Sequence, residues 1–159
     1  MLLIRSIHEG VIMKNYQRIF VAIDGSPTQT KVIERALTIA EANNAEILLG
    51  HVVDSVPFES TGTDFRALVE ERQSELESEL QDVLKQAKTY PHIQDIKLDV
   101  KAGHINNVLQ ELMIDPYDPD LVICGERGLS NLQYAFIGSV STFLIRNLRC
   151  DVLVVKNFD

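Results

Sequence analysis

The chain has 159 residues, a formal net charge of −8, 45% hydrophobic residues and 24% charged residues. That is enough for one compact domain with its own core, and too apolar for a disordered chain. The acidic balance, with no run of Lys and Arg, argues against binding to nucleic-acid backbones or anionic lipid surfaces.

The first residues, MLLIRSIHEGVIM, form an apolar stretch interrupted by Arg5, His8 and Glu9. It is too short to span a bilayer and lacks a small-residue cleavage site. Residues 1–14 are therefore read as an N-terminal extension and 15–159 as a single domain. The first β-branched run is Arg18–Ile23 (RIFVAI), ending in the turn Asp24-Gly25-Ser26-Pro27. A helix is expected over about Thr28–Asn43, with Val32, Ile33, Ala36, Leu37 and Ala40 three or four apart. A second strand is expected at Glu46–Val53, followed by a polar loop with Pro57 and Gly62. One long helix is expected over about Asp64–Lys88, its apolar stripe carried by Leu68, Leu76, Leu80, Val83 or Leu84, and Ala87. Its other face carries Glu70, Glu71, Glu75, Glu77, Glu79 and Asp82 and reads as a solvated surface rather than a metal site.

The run Ile96–Ala102 alternates apolar and polar residues, which suits a sheet edge. A helix over Ile105–Met113 should be ended by Pro116 and Pro119. Asp120–Gly125 is apolar after its first residue and reads as a buried central strand. A helix over about Gly138–Asn147 and a last strand over Cys150–Lys156 complete the pattern. Short strands alternating with helices imply right-handed crossovers and a parallel sheet. Cys124 and Cys150 form no ligand-like pair, and Cys124 lies in an apolar run, so a buried small hydrophobe in a reduced, cytoplasmic protein is expected.

In such a sheet, ligands bind beyond the carboxyl ends of the strands, where the strand order reverses. The most informative strand end is GERGLSNLQYAFIGSVS, Gly125–Ser141. Gly125 and Gly128 follow a buried strand, where glycine allows close backbone approach. Gly138-Ser139-Val140-Ser141 then opens a helix whose first amides and positive dipole end suit an anion, with Ser139 and Ser141 adding hydroxyl donors. Taken singly, Gly125 reads as a strand end and Ser139 as a helix cap; together they point to phosphate. Neither a P-loop lysine nor a G-x-G-x-x-G after the first strand is present. Asp24 serves either as a ribose or divalent-cation ligand or as a cap for the following helix. Val52 is either a base contact or a core valine. His51 reads as a satisfied strand-end histidine and His104 as a helix-start polar residue.

These residues resemble the universal stress protein family over about Tyr16–Lys156: RIFVAIDGSP, ILLGHVVD, PDLVICGERG and GSVSTFLIRNLRCDVLVVK. The spacing G-x2-G-x9-G-[ST] of Gly125, Gly128, Gly138 and Ser139 is similar to the nucleotide-binding motif of its ATP-binding branch. The resemblance implies a three-layer α/β fold, Rossmann-like and of the adenine nucleotide alpha hydrolase-like kind. Its sheet has five parallel strands in the order 3-2-1-4-5, with helices on both faces. It implies ATP with Mg2+ or Mn2+, the triphosphate held by Gly128, Gly138, Ser139, Val140 and Ser141. Asp24 would lie at the ribose and metal, Ala22 and Ile23 along the adenosine, and Val52 at the adenine, with Cys124 and Gly125 lining the nucleotide. It also implies a homodimer, expected through the terminal strand Asp151–Lys156. The chain departs from the pattern at Glu126, a negative charge within the glycine loop that Arg127 could offset, Arg127 itself being able to reach a phosphate.

The resulting expectation is an ATP-dependent regulatory or protective stress protein with little or no turnover. The loop has no lysine and no base is evident beyond Asp24, although Arg127 and Arg146 could be recruited, so the alternative of a slow ATPase or phosphotransferase is weaker. A dimeric interaction module without nucleotide would show a damaged glycine loop, and the loop is intact.

Overall fold

The computed structural model describes residues 15–126 and 137–156. The expected extension at 1–14, and Arg127 and Gly128 of the glycine loop, lie outside them. Five strands form one parallel sheet in the order β3-β2-β1-β4-β5: β1 (Arg18–Ala22), β2 (Glu46–Asp54), β3 (Asp95–Gly103), β4 (Leu121–Gly125) and β5 (Asp151–Val155). The order reverses between β1 and β4. Their register sets Ala22 beside Cys124, so the residues following both strands open on one crevice.

The period of two explains the layers. Ile19, Val21, Leu121 and Ile123 project to one face and pack with Val32, Ile33, Ala36, Leu37 and Ala40 of α1 (Gln29–Asn43). Phe20, Val122 and Cys124 project to the other, against Val108, Leu109, Met113 and Leu144. Ile19, Phe20 and Val21 are completely buried, as expected of a central parallel strand. The Phe20 ring lies over Gly50, and a Cβ at Gly50 would collide with it. β3 is an edge, and its alternating sequence reflects that position.

The expected long helix is broken in two. α2 (Phe65–Glu79) and α3 (Gln81–Ala87) meet at Leu80, whose φ −95° and ψ 4° are not helical. The break lets Leu76, Leu80, Val83 and Ala87 all reach the core as the chain wraps the sheet. The stripe does not continue N-terminally: Leu76 is the one buried residue of α2. The six acidic residues expected on the outer face are exposed.

The fourth helical region also differs from expectation. α4 (Ile105–Asn107) runs into a π-helical turn (Val108–Ile114) and then α5 (Asp115–Tyr117). Pro116 does not stop the helix, which continues through it from the π-helical turn to Tyr117. The end comes at Asp118, in a left-handed conformation with φ 51°. The last helix, α6 (Ser139–Asn147), follows Gly138 as its N-cap. Among the described residues no helix is long and apolar enough to cross a membrane.

Candidate functional site

The strand ends and the start of α6 enclose a cavity of about 690 Å3, within the roughly 300–1,000 Å3 usual for small-molecule sites. Ten of the twelve residues singled out in the sequence line it. Ala22, Ile23 and Asp24 come from the end of β1, Val52 from β2, Cys124 and Gly125 from β4, and Gly138, Ser139, Val140 and Ser141 from the start of α6.

At the β1 end, the Ile23 amide donates to Gly50 O at 2.9 Å, carrying the β1–β2 pairing one residue further. Asp24 Oδ1 accepts the Ser26 amide at 2.9 Å and closes the turn. Asp24 and Ser26 do not cap α1: its N-cap is Thr28, with no side-chain cap bond, and the Ser26 hydroxyl meets Thr28 Oγ1 instead. Asp24 is thus half-buried, tied to its own turn and open to the cavity at once. Gly25 has φ +77°, a left-handed conformation that favours glycine.

At the β4 end, the Cys124 thiol is 3% exposed, and burial pushes its pKa up to about 12. It is a neutral wall group rather than a nucleophile. Glu126 is not among the lining residues and acts through its backbone. Its amide donates to Val155 O at 2.9 Å, and its carbonyl accepts the Gly138 amide at 2.8 Å. The two ends of the 127–136 segment are thereby pinned together. The amides of Glu126 and Gly138 are already satisfied by main-chain carbonyls, so the Gly138 amide expected at an anion is engaged elsewhere. The donors left by helix geometry are the first-turn amides of Ser139, Val140 and Ser141. The Ser141 hydroxyl, expected as a further donor, is also engaged. It is 2% exposed and donates to Gly138 O at 3.1 Å and Glu126 O at 3.3 Å, fastening the helix start to the loop.

The sequence reading assigned no site role to a further rim, although it took His51 as a satisfied strand-end histidine, as its bond to Ile23 O bears out. His51 and Asp54 of β2, Pro57 and Phe58 of the 3-10 turn Val56–Phe58, and Arg72 and Glu75 of α2 all line the cavity. The His51 Nδ1 position meets Ile23 O at 2.9 Å, and Arg72 Nε donates to His51 Nε2 at 3.5 Å. Those partners require a neutral imidazole with its proton on Nδ1. Burial, with the Arg72 charge, lowers the His51 pKa, and the Ile23 carbonyl and the Asp24 and Glu79 charges oppose that only in part. Arg72 Nη1 reaches Glu75 at 2.8 Å and Glu79 at 3.4 Å. A signal for Arg72 was present: Arg72, Leu76 and Leu80 stand four apart, which places an arginine on the core-facing stripe of an otherwise acidic helix.

Comparison with known proteins agrees with this architecture. Residues 15–156 match the model of the family described as Universal stress protein family. A Staphylococcus aureus (strain USA300) protein bearing a universal stress protein name is 28% identical over 144 residues, 91% of this chain and 86% of that protein. Among solved structures, the universal stress protein UspA from Lactobacillus plantarum superposes with a TM-score of 0.77 at 18% identity, covering 89% of this chain and 98% of that one. A universal stress protein in complex with cAMP superposes with a TM-score of 0.62 at 27% identity, covering 89% and 98%.

Proposed function

The chain belongs to the universal stress protein family, and from that premise we propose that it binds ATP in the cavity between β1, β4 and α6, as a nucleotide-dependent regulatory or protective protein with little or no turnover. The observation that carries this reading is the convergence of Ala22–Asp24, Cys124-Gly125 and Gly138–Ser141 on one cavity at the point where the strand order reverses. Adenine fits the apolar wall beside Val52, and the ribose hydroxyls fit the Asp24 carboxylate. The phosphates fit the first-turn amides of Ser139, Val140 and Ser141, with Arg127 and Gly128 of the loop contributing from the same motif. The cAMP complex of the 27%-identical structure supports the adenine-nucleotide class.

A divalent cation, Mg2+ or Mn2+, suits this donor set, because such ions are held by one or two carboxylates together with ligand phosphates, and Asp24 supplies the carboxylate. Regulation is proposed over hydrolysis because the segment Gly125–Ser141 carries no lysine and the neutral His51 has both ring nitrogens engaged, by Ile23 O and by Arg72 Nε. The protein acts in the cytoplasm in this reading. It dimerises through the edge of β5, where Val152 and Val154 pack on one face of the sheet and Leu153 and Val155 on the other. An antiparallel partner strand would protect that edge.

The test is titration calorimetry of the purified protein with ATP and Mg2+, alongside thermal melting with and without nucleotide. Saturable binding and a raised melting temperature are expected. If millimolar ATP with Mg2+ neither binds nor shifts the melting temperature, the reading fails. Phosphate released steadily over hours would instead favour the slow ATPase.

A further inference from the structure

Arg72 is the one cationic side chain among the described residues lining the cavity; the other charged ones are Asp24, Asp54 and Glu75. Its side chain is only 23% exposed and is held at several points. Nε donates to His51 Nε2, and Nη1 is shared between Glu75 and Glu79. Nη2 has no acceptor among the described residues. It stands directly over Gly25, where a Cβ would collide with it.

This arrangement is unusual for a mere surface ion pair. Among the described residues the Nη2 edge of the fork has no hydrogen-bond partner, and Arg72 lines the cavity, which leaves that edge to a ligand or to water. Its orienting partner on the Nε side is a neutral imidazole, which fixes the plane of the fork without neutralising it. Its carboxylate partners Glu75 and Glu79 are 51% and 47% exposed. Exposed pairs of that kind hold weakly and leave the cation available to a stronger anion. The turn beneath it is glycine at the position where a side chain would displace it.

We propose that Arg72 takes a phosphate of the bound nucleotide through the Nη2 edge of its guanidinium, oriented by His51, so that the cavity grips an anion from α2 as well as from the start of α6. The proposal rests on the adenine-nucleotide reading above and assigns it a phosphate-recognising side chain. Guanidinium matches phosphate geometrically, which lysine does not.

The experiment measures binding of ATP and of adenosine, at fixed Mg2+, to wild type, Arg72→Gln and Arg72→Lys. Adenosine shares the base and ribose but carries no phosphate. Arg72→Gln is expected to weaken ATP by about tenfold or more, the scale of a lost charge-assisted bond, and to leave adenosine within about twofold. Arg72→Lys should recover part of the loss, and the salt dependence of ATP binding should flatten in Arg72→Gln. ATP binding unchanged in Arg72→Gln overturns the proposal. Equal losses for ATP and adenosine also overturn it, because they mark Arg72 as a fastener of α2 only. A wild-type protein that binds neither compound defeats the nucleotide reading and this proposal with it; one that binds both equally well defeats this proposal alone.

Discussion

The floor of the cavity and its rim are built by different means. The floor is made of strand ends whose positions follow from sheet register and whose supporting side chains are buried on both faces: Ile19, Phe20 and Val21 at 0% exposure, with Ile123 beside them. The rim on the far side is α2, a mostly exposed helix that packs on the core through buried Leu76 and half-buried Val69 and is further fastened to β1 and β2 by the side-chain chain Ile23–His51–Arg72. One half is set by packing, the other in part by a few polar contacts that ligand and solvent can contest. The floor should therefore carry stability and the rim should carry selectivity.

The sharpest way to break that contrast is through Phe20. Its ring fills the space over Gly50 at the centre of the sheet, and truncation to Ala should cost about 3–5 kcal/mol from lost burial and the cavity left behind. Urea denaturation would measure it. A cost near that of a surface substitution would mean that the floor is not the rigid half.

Gly25→Ala should come next, because it touches both halves. The residue must adopt φ +77°, which costs a residue with a Cβ roughly 1–2 kcal/mol, and the new methyl would push Arg72 off its place. A lower melting temperature and weaker ATP binding are expected together. In an Arg72→Gln background the steric part should shrink, so the two substitutions should be non-additive in a double-mutant cycle. Additive effects would separate the turn from the guanidinium and weaken the account of the rim.

The same division governs what could be read from the sequence. The floor was legible because each of its signals is local. β-branched runs mark β1, β2 and β4, the alternation of β3 marks an edge, and the glycines and serines of 125–141 mark a strand-to-helix anion site. Boundaries such as Ala22 against Ile23, or Asp54 against Val53, moved by a single residue. The rim was legible only in the four-residue spacing of Arg72, Leu76 and Leu80, because it depends on where a helix lands after the chain has packed. The break at Leu80 follows from wrapping four apolar residues onto a twisted sheet, and neither residue type at the joint is a helix breaker. The π-helical turn Val108–Ile114, which carries Leu109 of the cavity wall, has no sequence signature at all. The engagement of the Glu126 and Gly138 amides is likewise a tertiary event, set by the end of β5 and the loop neck.

The smallest expected effect is the pH response of His51, and it isolates the joint between the two halves. Burial and the Arg72 charge lower its pKa below the ordinary 6.5 in the folded protein. The unfolded chain therefore binds a proton first as pH falls, and stability rises with pH wherever the unfolded state carries the extra proton. The contribution of neutral His51 is fully present above pH 6.5 and is lost as pH drops from there toward its lowered folded value. Ile23, Arg72, Asp24 and Glu79 are the groups that act on it. Of these, Arg72 gains a like-charged neighbour on protonation, while its Nε loses the lone pair it donates to. His51→Gln should therefore flatten the fall in melting temperature between about pH 7 and 5 relative to wild type, and the difference between the two curves excludes the exposed pairs His92–Glu41 and His104–Glu59, which both proteins share. Parallel curves would mean that His51 does not tie α2 to the floor through its neutral form, and the helix would then be held by the packing of Leu76 and Val69 on the core.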